Sequence, residues 1–135
     1  MFKFSKRSLK LLSYLDQDVA NVLKEAIKVI DFSVIETWRS KADQNKYYDQ
    51  GRSKLRWPQS KHNTKSDRPQ KVKAVDIIPY PEGWDAPKEK FYFMMGIIKG
   101  IAESKGIKLR FGLDWDSDNE FNDQSFNDFP HIEKL

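Results

Sequence analysis

The sequence predicts an α+β fold, in which helices cover a small, mostly antiparallel central sheet within a single domain spanning residues 1–135. Three observations predict it. Two segments carry apolar residues at helical spacings of three and four, Ser8 to Val29 and Lys88 to Ser104. Four short runs between them and after them are apolar or β-branched and end at Gly, Pro or polar turn residues. The chain contains no internal repeat and no low-complexity tract that would mark a second unit.

In the first segment Leu11, Leu12, Leu15, Val19, Val22, Leu23, Ala26, Ile27 and Ile30 form the apolar stripe. It divides into two short helices, with Asp16 and Asp18 as candidate caps for the second. Phe32 to Glu36 reads as a strand. Ser40 is an N-cap, with Asp43 three residues on, for a helix from Lys41 to Asp49 that stops at Gly51. Arg52 to Gln59 is a loop anchored by Leu55 and Trp57, and Asn63 to Lys73 is an exposed basic loop. Val72 to Ile78 is a strand rich in β-branched residues, ended by Pro79. Tyr80 to Pro87 is a turn-rich connection. In the helix from Lys88 to Ser104 the buried face is Phe91, Met94, Met95, Ile98, Ile101 and Ala102, while Gly96 and Gly100 are candidates for close approach to the sheet. Ile107 to Phe111 is a short strand, Asp116 to Asn127 an acidic loop, and Pro130 to Lys134 a last strand.

Composition narrows the chemistry. Nine Phe, five Tyr and four Trp among 135 residues supply enough bulky core to exclude a disordered chain. The absence of cysteine excludes disulfides, thiolate metal sites and a cysteine nucleophile, so any metal is held by nitrogen and oxygen. A net charge of +4 favours anionic partners without choosing among nucleic acid, acidic lipid and bacterial wall. The first ten residues are basic but lack the apolar core of an export signal, and no apolar run reaches membrane-spanning length.

The only two histidines are His62 and His131. A divalent ion held by two imidazoles and one carboxylate would use both, with Asp76 as third ligand and Asp128 left as a base. Each residue also has a plainer reading: His62 as a loop histidine, His131 as part of a polar edge-strand face, Asp76 as a strand-closing aspartate, Asp128 as a turn former after Asn127. Asp76 is the most informative, because it interrupts a run of Val, Ala and Ile where an uncompensated carboxylate is costly. On a strand His131 and Glu133 share a face, so Glu133 either accepts the second imidazole N–H or is itself a ligand. Arg39, between a strand and a helix, suits a substrate carboxylate or an oxyanion, or else a surface ion pair. The basic segment Lys61 to Lys73, with Trp57 near it, is the argument for a nucleic-acid-binding module instead. The acidic residues 114, 116, 118, 120, 123 and 128 crowd the sequence before His131, which disfavours a phosphate backbone. They suit a hard cation, although their spacing does not fit a continuous EF-hand loop.

Taken together, Phe4-Ser5-Lys6-Arg7-Ser8, Arg39, Ser60-Lys61-His62, Ala74-Val75-Asp76, Leu109-Arg110-Phe111-Gly112-Leu113-Asp114-Trp115 and Asp128-Phe129-Pro130-His131 resemble the small zinc peptidases of the M15 family. The likeness is greatest to the phage endolysins that cleave between L-alanine and D-glutamate of peptidoglycan, and it runs nearly end to end. It implies a Hedgehog/DD-peptidase-like fold, Zn2+ on His62, Asp76 and His131, Asp128 as general base, and Arg39 binding substrate or the polarised carbonyl oxygen. It implies the peptidoglycan stem peptide as partner, with no nucleic acid and no integral membrane segment. A monomer is implied that stays in the host cytoplasm until lysis and then reaches the periplasm and cell wall through a holin-like pore. The chain departs from the family in the longer stretch between His62 and Asp76. That stretch is expected to bulge from a hairpin beside the metal, where it would act as a lid or alter bond preference. The alternatives are the nucleic-acid-binding module and a non-enzymatic wall-binding protein with a closed, structural zinc.

Overall fold

The computed structural model describes residues 1–135. Its elements are α1 (Lys6–Leu12), α2 (Gln17–Ala26), β1 (Phe32–Glu36), α3 (Lys41–Asp49), β2 (Ala74–Pro79), a short 3-10 turn (Gly83–Asp85), α4 (Lys88–Ser104), β3 (Leu109–Phe111) and β4 (His131–Lys134). The strands form one antiparallel sheet in the order β1-β2-β4-β3. The α+β class read from the sequence is therefore the observed one.

Local chemistry sets the helix starts. The Ser5 hydroxyl accepts from the Ser8 backbone N–H at 3.1 Å, and the Ser40 hydroxyl accepts from that of Asp43 at 3.1 Å. Asp16, rather than Asp18, caps α2, accepting from the backbone N–H groups of Asp18 and Val19. Helices α1, α2 and α4 cover one face of the sheet. Leu15, Val22, Leu23, Met94, Ile98, Val75, Ile77 and Ile132 are all fully enclosed in the resulting core.

Period-two alternation then assigns each strand two jobs. On β2, Val75 and Ile77 enter the core and Asp76 faces the other way. On β4, Ile132 enters the core, while His131 and Glu133 face away from it. The register places Asp76 opposite His131, Ala74 opposite Glu133, and Arg110 opposite Glu133. A bulge between Val34 and Glu36 shifts the β1 register, bringing Glu36 opposite Asp76 at the sheet end where the polar residues gather.

Several expectations are corrected. β2 begins at Ala74, because Val72 pairs with the segment after α1 instead. The Val72 N–H donates to Tyr14 O and its carbonyl accepts from Asp16 N, both at 2.8 Å. β3 begins at Leu109 and β4 at His131, not at Ile107 and Pro130. Gly96 and Gly100 approach nothing, since a Cβ at either would meet open space. The close approach is at Gly112, where a Cβ would lie 2.1 Å from the Asp128 carbonyl oxygen. The 63–73 segment is no hairpin bulge. Thr64 is buried at its base and takes a hydrogen bond from Trp38 Nε1 at 3.1 Å, while Asp67 Oδ1 accepts from Lys41 N at 2.7 Å. Those bonds tie the loop to the start of α3.

Candidate metal centre and its cavity

Three elements deliver three ligand atoms. His62 comes from a turn and is almost fully buried. Its backbone oxygen accepts from Arg39 N at 2.8 Å, which fixes the turn against the segment after β1. Asp76 comes from the middle of the sheet and His131 from the neighbouring strand. His62 Nε2, Asp76 Oδ1 and His131 Nδ1 form an equilateral triangle with sides of 3.3 Å.

The outer ring nitrogens explain why those atoms point inward. His62 Nδ1 lies 2.7 Å from the Thr37 carbonyl, which can only accept, so Nδ1 carries the proton and Nε2 presents a lone pair. His131 Nε2 donates to Glu133 Oε1 at 2.8 Å, leaving Nδ1 free for the centre. With those protons committed outward, two neutral imidazoles leave Asp76 Oδ1 buried without a hydrogen-bond partner, a need that only a cation or an added proton at the centre meets. Such an orphaned carboxylate oxygen is costly unless a cation meets it. Tetrahedral zinc with bonds of about 2.0–2.1 Å to nitrogen and oxygen has ligand–ligand edges of about 3.3–3.4 Å. The triangle has that edge, so these residues would hold a zinc ion.

The electrostatics without metal agree. Burial opposes protonation of His131, but the carboxylates of Asp76 and Glu133 on its two sides outweigh burial and push its pKa up to about 9. Burial raises Asp76, and the paired histidines more than offset that, holding it below the usual carboxylate range. Glu133 is likewise raised by burial but brought down to about 2 by its bonds to His131 and Arg110. The metal-free protein thus holds a proton where the cation would sit. Glu133 supports His131 and is not a ligand.

A cavity of about 490 Å³ opens over the triangle. Asp128 lines it with Oδ2 3.9 Å from His131 Nδ1, outside the triangle. Burial first, then the neighbouring Asp76 charge, raise Asp128 to about 6. Arg39 is no surface residue: its side chain is 11% exposed and is held by Glu36, by Gln44 Oε1 at 2.9 Å and by Asp76 Oδ2 at 3.7 Å. All five candidate residues, His62, Asp76, His131, Asp128 and Arg39, therefore meet at one end of the sheet.

Other expectations about this region are revised. Residues 64–73 contribute nothing to the cavity lining, so the long basic stretch is not a lid over it. Trp57 is half-buried, with Nε1 bonded to Thr64 O at 3.1 Å and Lys41 Nζ 4.8 Å from its ring centroid, a poor platform for a base. Of the six acidic residues thought to crowd His131, only Asp128 lines its cavity. Asp114, Asp116 and Asp118 instead face one another in their own turn, with carboxylate oxygens within 4.8 Å.

Sequence reasoning missed three supports. Gln44 is fully buried, holding Arg39 and donating to Ser53 Oγ at 2.9 Å and Leu55 O at 2.6 Å, yet it sits in a mostly polar helix that gives no hint of an inward face. Thr37 acts through its backbone carbonyl, which no side-chain pattern reveals. Arg110 bonds Glu133 at 2.7 Å, and its position between buried Leu109 and Phe111 was a usable signal of a side chain facing the polar side.

Fold and site together define a small α+β zinc metallopeptidase. A family model described as phage L-alanyl-D-glutamate peptidase matches residues 1–135, and the chain belongs to that family. It is 30% identical over 129 residues to the L-alanyl-D-glutamate peptidase of Escherichia phage T5, covering 91% of this chain and 88% of that one. Its fold is similar to the crystal structure of the Serratia marcescens L-Ala D-Glu endopeptidase ChiX. There the TM-score is 0.74 at 23% identity, over 98% of this chain and 90% of the other.

Proposed function

We propose that this chain is a zinc-dependent endopeptidase that cleaves the L-alanyl–D-glutamate amide of peptidoglycan stem peptides. The observation that carries the reading is the 3.3 Å triangle of His62, Asp76 and His131 atoms at the floor of an open cavity, in a chain of this family. A zinc ion bound there supplies Lewis-acid polarisation of the scissile carbonyl and of an attacking water. Asp128, ionised above about pH 6, accepts the proton of that water and delivers it to the leaving nitrogen. Arg39 has two of its donor groups held by Glu36 and Gln44, and it offers its remaining charge to the oxyanion while steadying Asp76. Glu133 keeps the His131 ring in the ligating tautomer.

Each chain carries a complete set of these groups, which supports a monomeric enzyme. No helix is long and apolar enough to cross a membrane. We assign the cellular role of an endolysin, held in the host cytoplasm and reaching the periplasm and wall at lysis through a holin-like pore. Incubation with purified peptidoglycan, followed by mass analysis, tests the activity. The expected result is new N-terminal glutamate on the released peptides, lost with a chelator and restored by zinc. Unchanged peptidoglycan with the zinc-loaded protein, or cleavage indifferent to chelator, would refute it.

A further inference from the structure

The cavity over the metal triangle carries five cationic side chains: Arg39, Arg52, Lys54, Lys61 and Arg110. Three are matched by carboxylates. Arg39 pairs with Glu36 and Asp76, while Lys61 and Arg110 pair with Glu133. Arg52 and Lys54 are matched by none. The Arg52 guanidinium lies 4.3 Å from the Tyr47 ring centroid, and its Nη1 makes only a 3.5 Å contact with Gln50 Oε1. Lys54 Nζ lies 5.3 Å from the Phe126 ring centroid. These contacts set the two exposed side chains against aromatic faces and leave their charge unneutralised.

Their loop is also held in place. The buried Gln44 amide bonds Ser53 and Leu55, the residues on either side of Lys54. The same Gln44 grips Arg39 through its other oxygen end. The loop that carries the two unmatched cations is thereby tied to the residue that holds Arg39 beside the triangle, as a discriminating subsite requires.

The substrate chemistry supplies a match, and this step rests on the function proposed above. A glutamyl residue on the leaving side of the scissile bond has two carboxyl groups, and the peptide chain continues through at most one. A free carboxylate therefore lies a few bonds from the leaving nitrogen. We infer that Arg52 and Lys54 form a specificity clamp that receives this free carboxylate of the D-glutamyl residue. A carboxamide in its place is neutral and brings N–H donors toward two cations that can only donate, so it is selected against.

Steady-state kinetics on two synthetic peptides test the clamp, one carrying D-glutamate and the other its carboxamide counterpart at the free carboxyl. The parent is expected to favour the acid by about tenfold to a hundredfold in kcat/KM, chiefly through KM. The double variant Arg52→Gln, Lys54→Gln is expected to bring that ratio close to one, and Lys54→Arg to preserve it. Melting temperature and zinc content are measured on each variant, so damage to the fold or metal site appears as an equal loss on both peptides. A parent ratio near one, or a double variant that keeps the parent ratio, overturns the clamp and leaves the peptidase reading standing. Failure of the zinc-loaded parent to cleave either peptide removes the peptidase reading, and the clamp with it.

Discussion

Asp76 and Asp128 carry the two different jobs proposed for carboxylates at this centre. Asp76 sits between two imidazoles and is held ionised, as a ligand requires. Asp128 stands 3.9 Å from the nearer imidazole, and burial raises it to about 6, so it can take up and release a proton near neutrality. Replacing Asp128 with Asn keeps the shape and removes the proton acceptor. Asp128→Asn is expected to retain stoichiometric zinc by metal analysis and to lose about a hundredfold to ten-thousandfold in peptide release. In the parent, activity is expected to rise with pH through about 6 or just below. The carboxylate must be ionised to act, and a cation bound nearby shifts its titration downward. Loss of zinc in the Asn variant would instead make Asp128 a ligand.

At the scale of elements, the connection between β3 and β4 is what brings Asp128, the proposed base, beside the metal triangle. Gly112 N donates to His131 O at 2.9 Å, and Asp128 N donates to Gly112 O at 3.0 Å, so the chain before β4 lies directly over Gly112. The Cβ of an alanine there would meet the Asp128 carbonyl oxygen at 2.1 Å, a distance no contact tolerates. The backbone of 127–129 must shift. Gly112→Ala is expected to cost about 1–3 kcal/mol in denaturant unfolding. Its activity is expected to fall by at least tenfold at a temperature where the variant is fully folded, since a base displaced by about 1 Å loses its alignment. A variant with parental activity would show that Asp128 need not stay where Gly112 places it.

For the whole molecule, stability and metal are linked through one proton. His131 reaches about 9 in the metal-free protein against its ordinary 6.5, so its folded-state pKa is raised. The stabilisation is fully present below pH 6.5 and is lost as pH rises through 9. The metal-free protein is expected to melt at progressively lower temperature across that window. The zinc-loaded protein, whose His131 nitrogen is occupied, is expected to lack this decline. At pH 7 zinc loading is expected to release about one proton from this residue, read as a dependence of calorimetric heat on buffer ionisation enthalpy. A buffer-independent heat would show that His131 is already neutral before the metal arrives.

Much of this protein was legible one residue at a time. Helical spacing located the stripes of α2 and α4, Ser40 marked the start of α3, and β-branched runs located β1 and β2, because these signals are local and act within a few residues. Two histidines in a cysteine-free chain, and an aspartate inside an apolar strand, marked the metal ligands for the same reason: each is chemically conspicuous where it stands. The tertiary structure alone decided the rest. It set the register that puts Asp76 opposite His131, the antiparallel order that seats β2 between β1 and β4, and the carbonyl of Thr37 that turns His62 inward. It made Gln44 a buried anchor in a helix with no apolar face, and it turned the long basic loop away from the cavity toward α3. Those outcomes depend on pairings between residues far apart in the chain, whose energies arise only after the intervening loops have closed.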